Sequence, residues 1–95
     1  MDSAPVSTSN FIIEKNDGFD KSMIEYSKMA ILLAIEEFPD DDWKKCNLVG
    51  KKFEEKYGNN WAVCFIKSGD VRFLYYGNML KLRYKDYLIK IGKTS

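Results

Sequence analysis

Lys51-Lys52-Phe53-Glu54-Glu55-Lys56-Tyr57-Gly58-Asn59-Asn60-Trp61 is the stretch whose reading decides the fold. Its first half is helical. Cys46, Val49, Phe53 and Tyr57 stand at i, i+3, i+7 and i+11, one continuous apolar face. Lys51, Lys52 and Lys56 suit the negative end of the helix dipole, and Gly58 is a natural residue to end the helix. After Asn59-Asn60 the period changes from helical to strand-like. Trp61-Ala62-Val63-Cys64-Phe65-Ile66 reads as a short apolar strand, so the segment is a helix-to-strand junction.

Working upstream, Asp40-Asp41-Asp42 offers an N-cap and favourable charge at the start of that helix, predicted from about Asp42 to Tyr57. The three aspartates lack the alternating spacing, central glycine and distal glutamate of a calcium loop. A first helix is expected from Lys21 to about Phe38, with Asp20 as N-cap and Pro39 ending it. Met23, Tyr26, Met29, Ala30, Leu33, Ala34 and Phe38 recur at helical spacing, and Met29 to Ile35 is apolar nearly all round. Phe11 to Lys15 is predicted as a short edge strand broken by Asn16-Asp17-Gly18. Residues 1–10, rich in Ser, Thr, Asn and Pro, read as a disordered lead-in to one domain at 11–95.

Downstream, Ser68-Gly69-Asp70 signals a turn or bulge and Val71 to Tyr76 a second strand. Gly77-Asn78 is expected to close a two-residue hairpin into a third strand, Met79 to Tyr84. There Leu80, Leu82 and Tyr84 alternate with Lys81, Arg83 and Lys85, which implies one buried and one wet face. The wet row is a solvated face or a contact for an acidic partner segment. Lys85-Asp86 turns the chain into a last strand carrying Tyr87, Ile89 and Ile91 on one face. The fold class is α+β: two N-terminal helices packed on one face of an antiparallel sheet of about four to five strands.

Composition bounds the function. The chain has 95 residues, 45% hydrophobic and 15% aromatic, generous for so small a core and suggestive of burial against a partner. Fifteen basic and 14 acidic residues are mixed along the helical half, so nucleic acid is not an expected partner. No apolar run approaches the roughly 18 residues of a membrane span, and neither a signal peptide nor a lipidation motif is apparent. Cys46 and Cys64, far apart in apolar company, read as reduced thiols of a cytosolic protein. There is no histidine, which removes the commonest general base and zinc ligand. Leu48-Val49-Gly50-Lys51 lies inside a helical pattern and lacks the earlier glycine of a phosphate loop. Gly50 instead reads as a point of close approach. No nucleophile, base and orienter assemble, so neither an enzyme nor a cofactor is expected.

The stretch from Lys51 to Trp61 resembles the eight-kilodalton dynein light chains. In that family a Lys/Glu-rich helix carries Phe, then Lys-Tyr, a short link, and a Trp opening the first core strand. Lys15-Asn16, Met23, Ser27 and Ala34-Ile35-Glu36-Glu37-Phe38 resemble the family's first helix and its approach. The resemblance covers nearly the whole chain after the lead-in. It implies a dimer in which one strand of each subunit crosses to the other's sheet, and partner peptides add as a further strand. It further implies a non-catalytic light chain in a cytoplasmic or ciliary dynein complex on the cytoskeleton. Intermediate-chain peptides would be the partners, with either an identical or a paralogous light chain across the dimer. A general dimerisation hub of the same fold outside dynein is the alternative.

On this sequence the resemblance places the peptide groove at Asp42, Trp43, Ser68, Gly69, Asp70, Val71, Arg72, Phe73, Leu74 and Tyr75. It places the dimer interface at Gly50, Ala62, Cys64, Val71 and Phe73. Three positions depart from the family pattern. Trp43 replaces the lysine beside the capping acid, Ala62 replaces the interfacial histidine, and the run after Ser68 differs throughout. The departures imply a private partner rather than the usual Thr-Gln-Thr ligand, and a dimer without the family's histidine-driven dissociation.

Overall fold

The computed structural model describes residues 10–72 and 74–95. The lead-in expected at 1–10 therefore falls, Asn10 apart, outside the described residues, as does Phe73. In chain order the elements are β1 (Phe11–Asp17), α1 (Lys21–Glu37), α2 (Asp42–Tyr57), β2 (Trp61–Ile66), β3 (Met79–Tyr84) and β4 (Tyr87–Lys93).

Both helices begin where side-chain oxygens meet orphan amides. Asp20 accepts from the Met23 N–H at 2.9 Å and Asp41 from the Lys44 N–H at 3.0 Å. Within the aspartate run, Asp41 is thus the cap and Asp42 the first helical residue. Helix α1 ends one residue earlier than expected, at Glu37, with Phe38 N–H still bonded to the Ala34 carbonyl before Pro39. Helix α2 ends at Gly58, whose φ of 92° suits glycine.

The four strands form one antiparallel sheet ordered β1-β3-β4-β2. Strand β1 runs two residues beyond expectation, through Asn16 and Asp17, because β3 continues opposite it as far as Met79. Alternation then sorts the faces. Val63, Phe65, Leu80, Leu82, Ile89 and Ile91 join Ala30, Ile31, Ala34, Val49 and Phe53 in the core between sheet and helices. Phe53, fully buried, centres an aromatic cluster, with ring centroids 5.0 Å from Trp61, 5.3 Å from Tyr57, 5.6 Å from Tyr26 and 6.0 Å from Phe19. The junction that decides the fold thus carries the aromatic cluster of its core.

Two strand expectations fail. Val71 to Tyr76 is not a strand among its described residues, and Gly77-Asn78 closes no hairpin. The reason is pairing: β3 already has β1 on one side and β4 on the other. The β-forming residues at 71–76 therefore find no open neighbour beside β3. Their root is instead stitched to the end of β4, the Tyr76 N–H donating to the Lys93 carbonyl and the Lys93 N–H to the Asn78 carbonyl. The wet row of β3 also differs from expectation. Arg83 and Lys81 pair with the chain's own Glu14, and Lys81 with Asp70, while Lys85 leaves the row at a turn with φ 55°.

Candidate strand-docking edge

Strand β2 ends the sheet order. From Trp61 opposite Lys93 to Ile66 opposite Leu88 it pairs with β4, and no strand among the described residues pairs with its other side. Its outward N–H and C=O groups there offer a template for one more strand. Helix α2 packs along β2, and between the helix and the free side lies an open groove of about 590 Å³. Trp43, Asn47, Gly50 and Glu54 of α2 line one wall, and Trp61, Ala62 and Val63 of β2 the other. Trp43, at the start of α2, is 75% exposed. Gly50 keeps the helical wall low. A Cβ built on it would meet only Val63 Cγ2, at an ordinary 3.8 Å, so nothing inside the chain requires a glycine there.

Asp42 and Trp43, neighbours in sequence, face different ways. Asp42 Oδ1 accepts from Lys45 Nζ at 2.8 Å and from Tyr87 OH at 2.7 Å. Those two donors, Lys45 first, hold its carboxyl below the usual carboxylate range. Lys45 is itself fully buried, its ammonium also donating to the Pro39 carbonyl at 3.1 Å and lying 5.3 Å from the Tyr87 ring centroid. Asp42 is thus tied to the core side of the helix start, and Trp43 alone of the pair lines the groove. Sequence reasoning missed Lys45, which sits among polar residues in a helical pattern and reads as solvated. Its only signal is the i, i+3 spacing from Asp42.

The remaining groove candidates between Ser68 and Tyr75, Phe73 apart, form an arm over the sheet face opposite the helices. Asp70 clasps it there, with Oδ1 2.7 Å from Lys90 Nζ and Oδ2 3.2 Å from Lys81 Nζ. The Lys90 hydrogen bond first, then that of Lys81, pulls the Asp70 pKa down to about 2. Lys90 Nζ also donates to the Val71 carbonyl, and Tyr75 OH donates to Asp17. Among the arm's described residues, Leu74 is 80% and Val71 43% exposed. Of the expected interface residues, Gly50 and Ala62 line the β2 groove. Cys64, half-buried, belongs by alternation to the face away from the core, and Val71 belongs to the arm. Burial raises the pKa of both free thiols, Cys46 and Cys64, so neither is activated as a nucleophile. One chain therefore carries both a free strand edge and a strand-forming arm, and does not join them.

No protein-family model matches the sequence, and no curated protein matches it. Solved structures do. The dynein light chain-like domain of calcium binding protein FhCaBP2 from Fasciola hepatica superposes with a TM-score of 0.79 at 11% identity, covering 97% of this chain and 99% of that one. The native structure of the same domain, the first being a mercury derivative, gives 0.73 at 12% identity, covering 97% and 100%. Identities this low speak for architecture alone: two helices on a four-stranded antiparallel sheet, a dynein light chain-like fold.

Proposed function

We propose that this chain is a non-enzymatic light chain of a dynein motor complex, which dimerises and binds intermediate-chain peptide segments by strand addition. The observation that carries the reading is the unpaired side of β2, set beside the low wall of α2, in a chain whose arm has strand-forming residues that join no strand among the described residues. Two copies complete each other: the 68–75 arm of one joins the β2 edge of its partner, and a peptide extends that arm as the next strand. Two such grooves on one dimer hold two peptides side by side and gain avidity. The protein then works in the cytoplasm on the cytoskeleton, or in the ciliary axoneme.

The groove chemistry supports a private partner. Asp42 is engaged by Lys45 and Tyr87, and an exposed indole stands at the helix start. A partner residue meeting α2 there would pack on Trp43 rather than hydrogen-bond a free carboxylate. Because the chain has no histidine, the dimer does not dissociate as pH falls through the imidazole range. Calcium, which the Fasciola protein's name records, is no part of this reading. Asp41 is a helix cap, and among the described residues no group of three His, Cys, Asp or Glu is placed to hold a metal.

Sedimentation at micromolar concentration, followed by affinity purification from the source cells, tests the proposal. A dimer that recovers dynein intermediate chains is the expected outcome. A dimer that recovers other partners and no dynein subunit leaves the hub reading in its place. A monomer that pairs with neither itself nor a paralogous light chain rejects both.

A further inference from the structure

Strand exchange requires the arm to leave its own sheet, and polar contacts hold it there. Asp70 bridges Lys90 of β4 at 2.7 Å and Lys81 of β3 at 3.2 Å. Lys90 Nζ donates to the Val71 carbonyl, and Tyr75 OH donates to Asp17 of β1. Three strands thus grip one arm. Apolar packing adds little among the described residues. Leu74 and Val71 are exposed, and a space of about 550 Å³ lies between Arg72, Leu74 and Tyr75 of the arm and Lys15, Met79 and Lys81 of the sheet. Gly69 and Gly77, at φ +83° and +82°, stand near the two ends of the arm, and a Cβ built on either would meet nothing within 4 Å. Both ends therefore have room to turn as hinges.

We propose that this clasp is an autoinhibitory contact: by holding the arm on its own sheet, Asp70, Lys81 and Lys90 oppose its exchange onto the β2 edge of a second copy. The inference rests on the strand-exchange reading and adds a control to it. A contact made only while the arm is closed lowers the fraction of chains whose arm is open, and apparent affinity falls with that fraction. A dimer needs two open arms, so the penalty enters twice. A surface ion pair shifts such an equilibrium only a few-fold, and about threefold per chain becomes about tenfold in the dimer. The closed arm is easily released, yet it sets the concentration at which chains pair.

Sedimentation equilibrium of the full chain over a concentration series tests it, with variants on the two sides of the clasp. Asp70→Asn and Lys81→Met are each expected to tighten the dimer about tenfold. Net charge moves oppositely in the two, from +1 to +2 on losing the carboxylate and from +1 to 0 on losing the ammonium. A gain shared by both therefore does not come from altered repulsion between copies. Glu36→Gln, which removes an exposed carboxylate of α1, leaves association unchanged. In 1 M NaCl, where the screening length is about 3 Å, the wild-type dimer tightens more than that of Asp70→Asn. Urea midpoints close to wild type verify that both variants keep the fold. In dilute, monomeric samples Asp70→Asn frees the arm, and near the dissociation constant that freedom is read as dimer. Variants that dimerise no more tightly than wild type overturn the inference, and a wild-type dimer in the same series leaves strand exchange standing. Wild type and variants that all remain monomers reject both. A monomeric wild type beside a dimeric Asp70→Asn supports both.

Discussion

The junction from Phe53 to Trp61 and the arm from Ser68 to Tyr75 are both rich in strand-forming or aromatic residues, yet the chain treats them oppositely. At the junction each apolar group finds its neighbour within the chain: Phe53 is fully buried and four aromatic rings lie within 6.0 Å of it. In the arm, Leu74 stays 80% exposed, and among the described residues polar contacts hold the arm: Asp70 to Lys81 and Lys90, Lys90 to the Val71 carbonyl, and Tyr75 to Asp17. Apolar packing is made within the chain in one region and left open in the other. On the proposed reading, a second copy covers what the single chain leaves open.

The largest break of this contrast is Phe53→Ala, which empties the centre of the aromatic cluster and costs about 3–5 kcal/mol, much of the stability of a small domain. Leu74→Ala in the arm changes stability by less than about 0.5 kcal/mol. Urea unfolding of the two variants checks the pair, and comparable losses would show that the arm belongs to the core.

Next in size is Gly18→Ala, where the β1–α1 turn meets the Gly77-Asn78 segment that follows the arm. Gly18 has φ +82°, and a Cβ there would run into the Gly77 carbonyl oxygen and the Asn78 side chain, whose Nδ2 donates to the Gly18 carbonyl at 2.8 Å. Left-handed strain and that overlap together cost about 2 kcal/mol. Thermal unfolding measures it. Glycine at 77, also at positive φ but with nothing within 4 Å, tolerates the added atom sterically and loses less.

How far the sequence could be read follows the same division. Both helices, their caps and all four strands were legible because periodicity, capping side chains and Gly58 are local signals. Residues 71–76 were misread as a strand because pairing is not local. Strand propensity states what a segment can do, and only an open neighbour decides whether it does so. Lys45 was illegible for a related reason: a lysine in an amphipathic helix reads as solvent-facing unless the Asp42 carboxylate, the Pro39 carbonyl and the Tyr87 ring are known to converge on it. For the candidate site, Trp43, Gly50 and Ala62 came together as one groove, whereas Asp42 and the 68–75 arm lie elsewhere in the single chain. What joins arm to edge is the proposed second copy.

A smaller effect sharpens the functional half of the comparison. Gly50→Ala stabilises the isolated chain by up to about 1 kcal/mol, since alanine favours a helix and its Cβ meets only Val63 at 3.8 Å. The same methyl group raises the helical wall of the β2 groove. If a strand docks there, the more stable variant dimerises less tightly, and sedimentation beside thermal melts reads both quantities. A stabilised variant with unchanged association would remove Gly50 from the interface.

The smallest expected effect on stability concerns the arm's own clasp. Asp70 is held at about 2, below its ordinary 3.8, by hydrogen bonds from Lys90 and Lys81. A depressed carboxylate contributes fully above its ordinary pKa, and that contribution is lost as pH falls through about 2. Between pH 5 and 8 the clasp is therefore insensitive to acid. It remains sensitive to high salt, because its groups are partly solvent-exposed and the screening length shortens to about 3 Å at 1 M. Asp70→Asn, or high salt, should speed amide exchange along 69–76 while leaving the urea midpoint nearly unchanged. Arm amides that exchange no faster in Asp70→Asn would assign the arm's position to Tyr75 and Asp17, and the ionic clasp would lose its role.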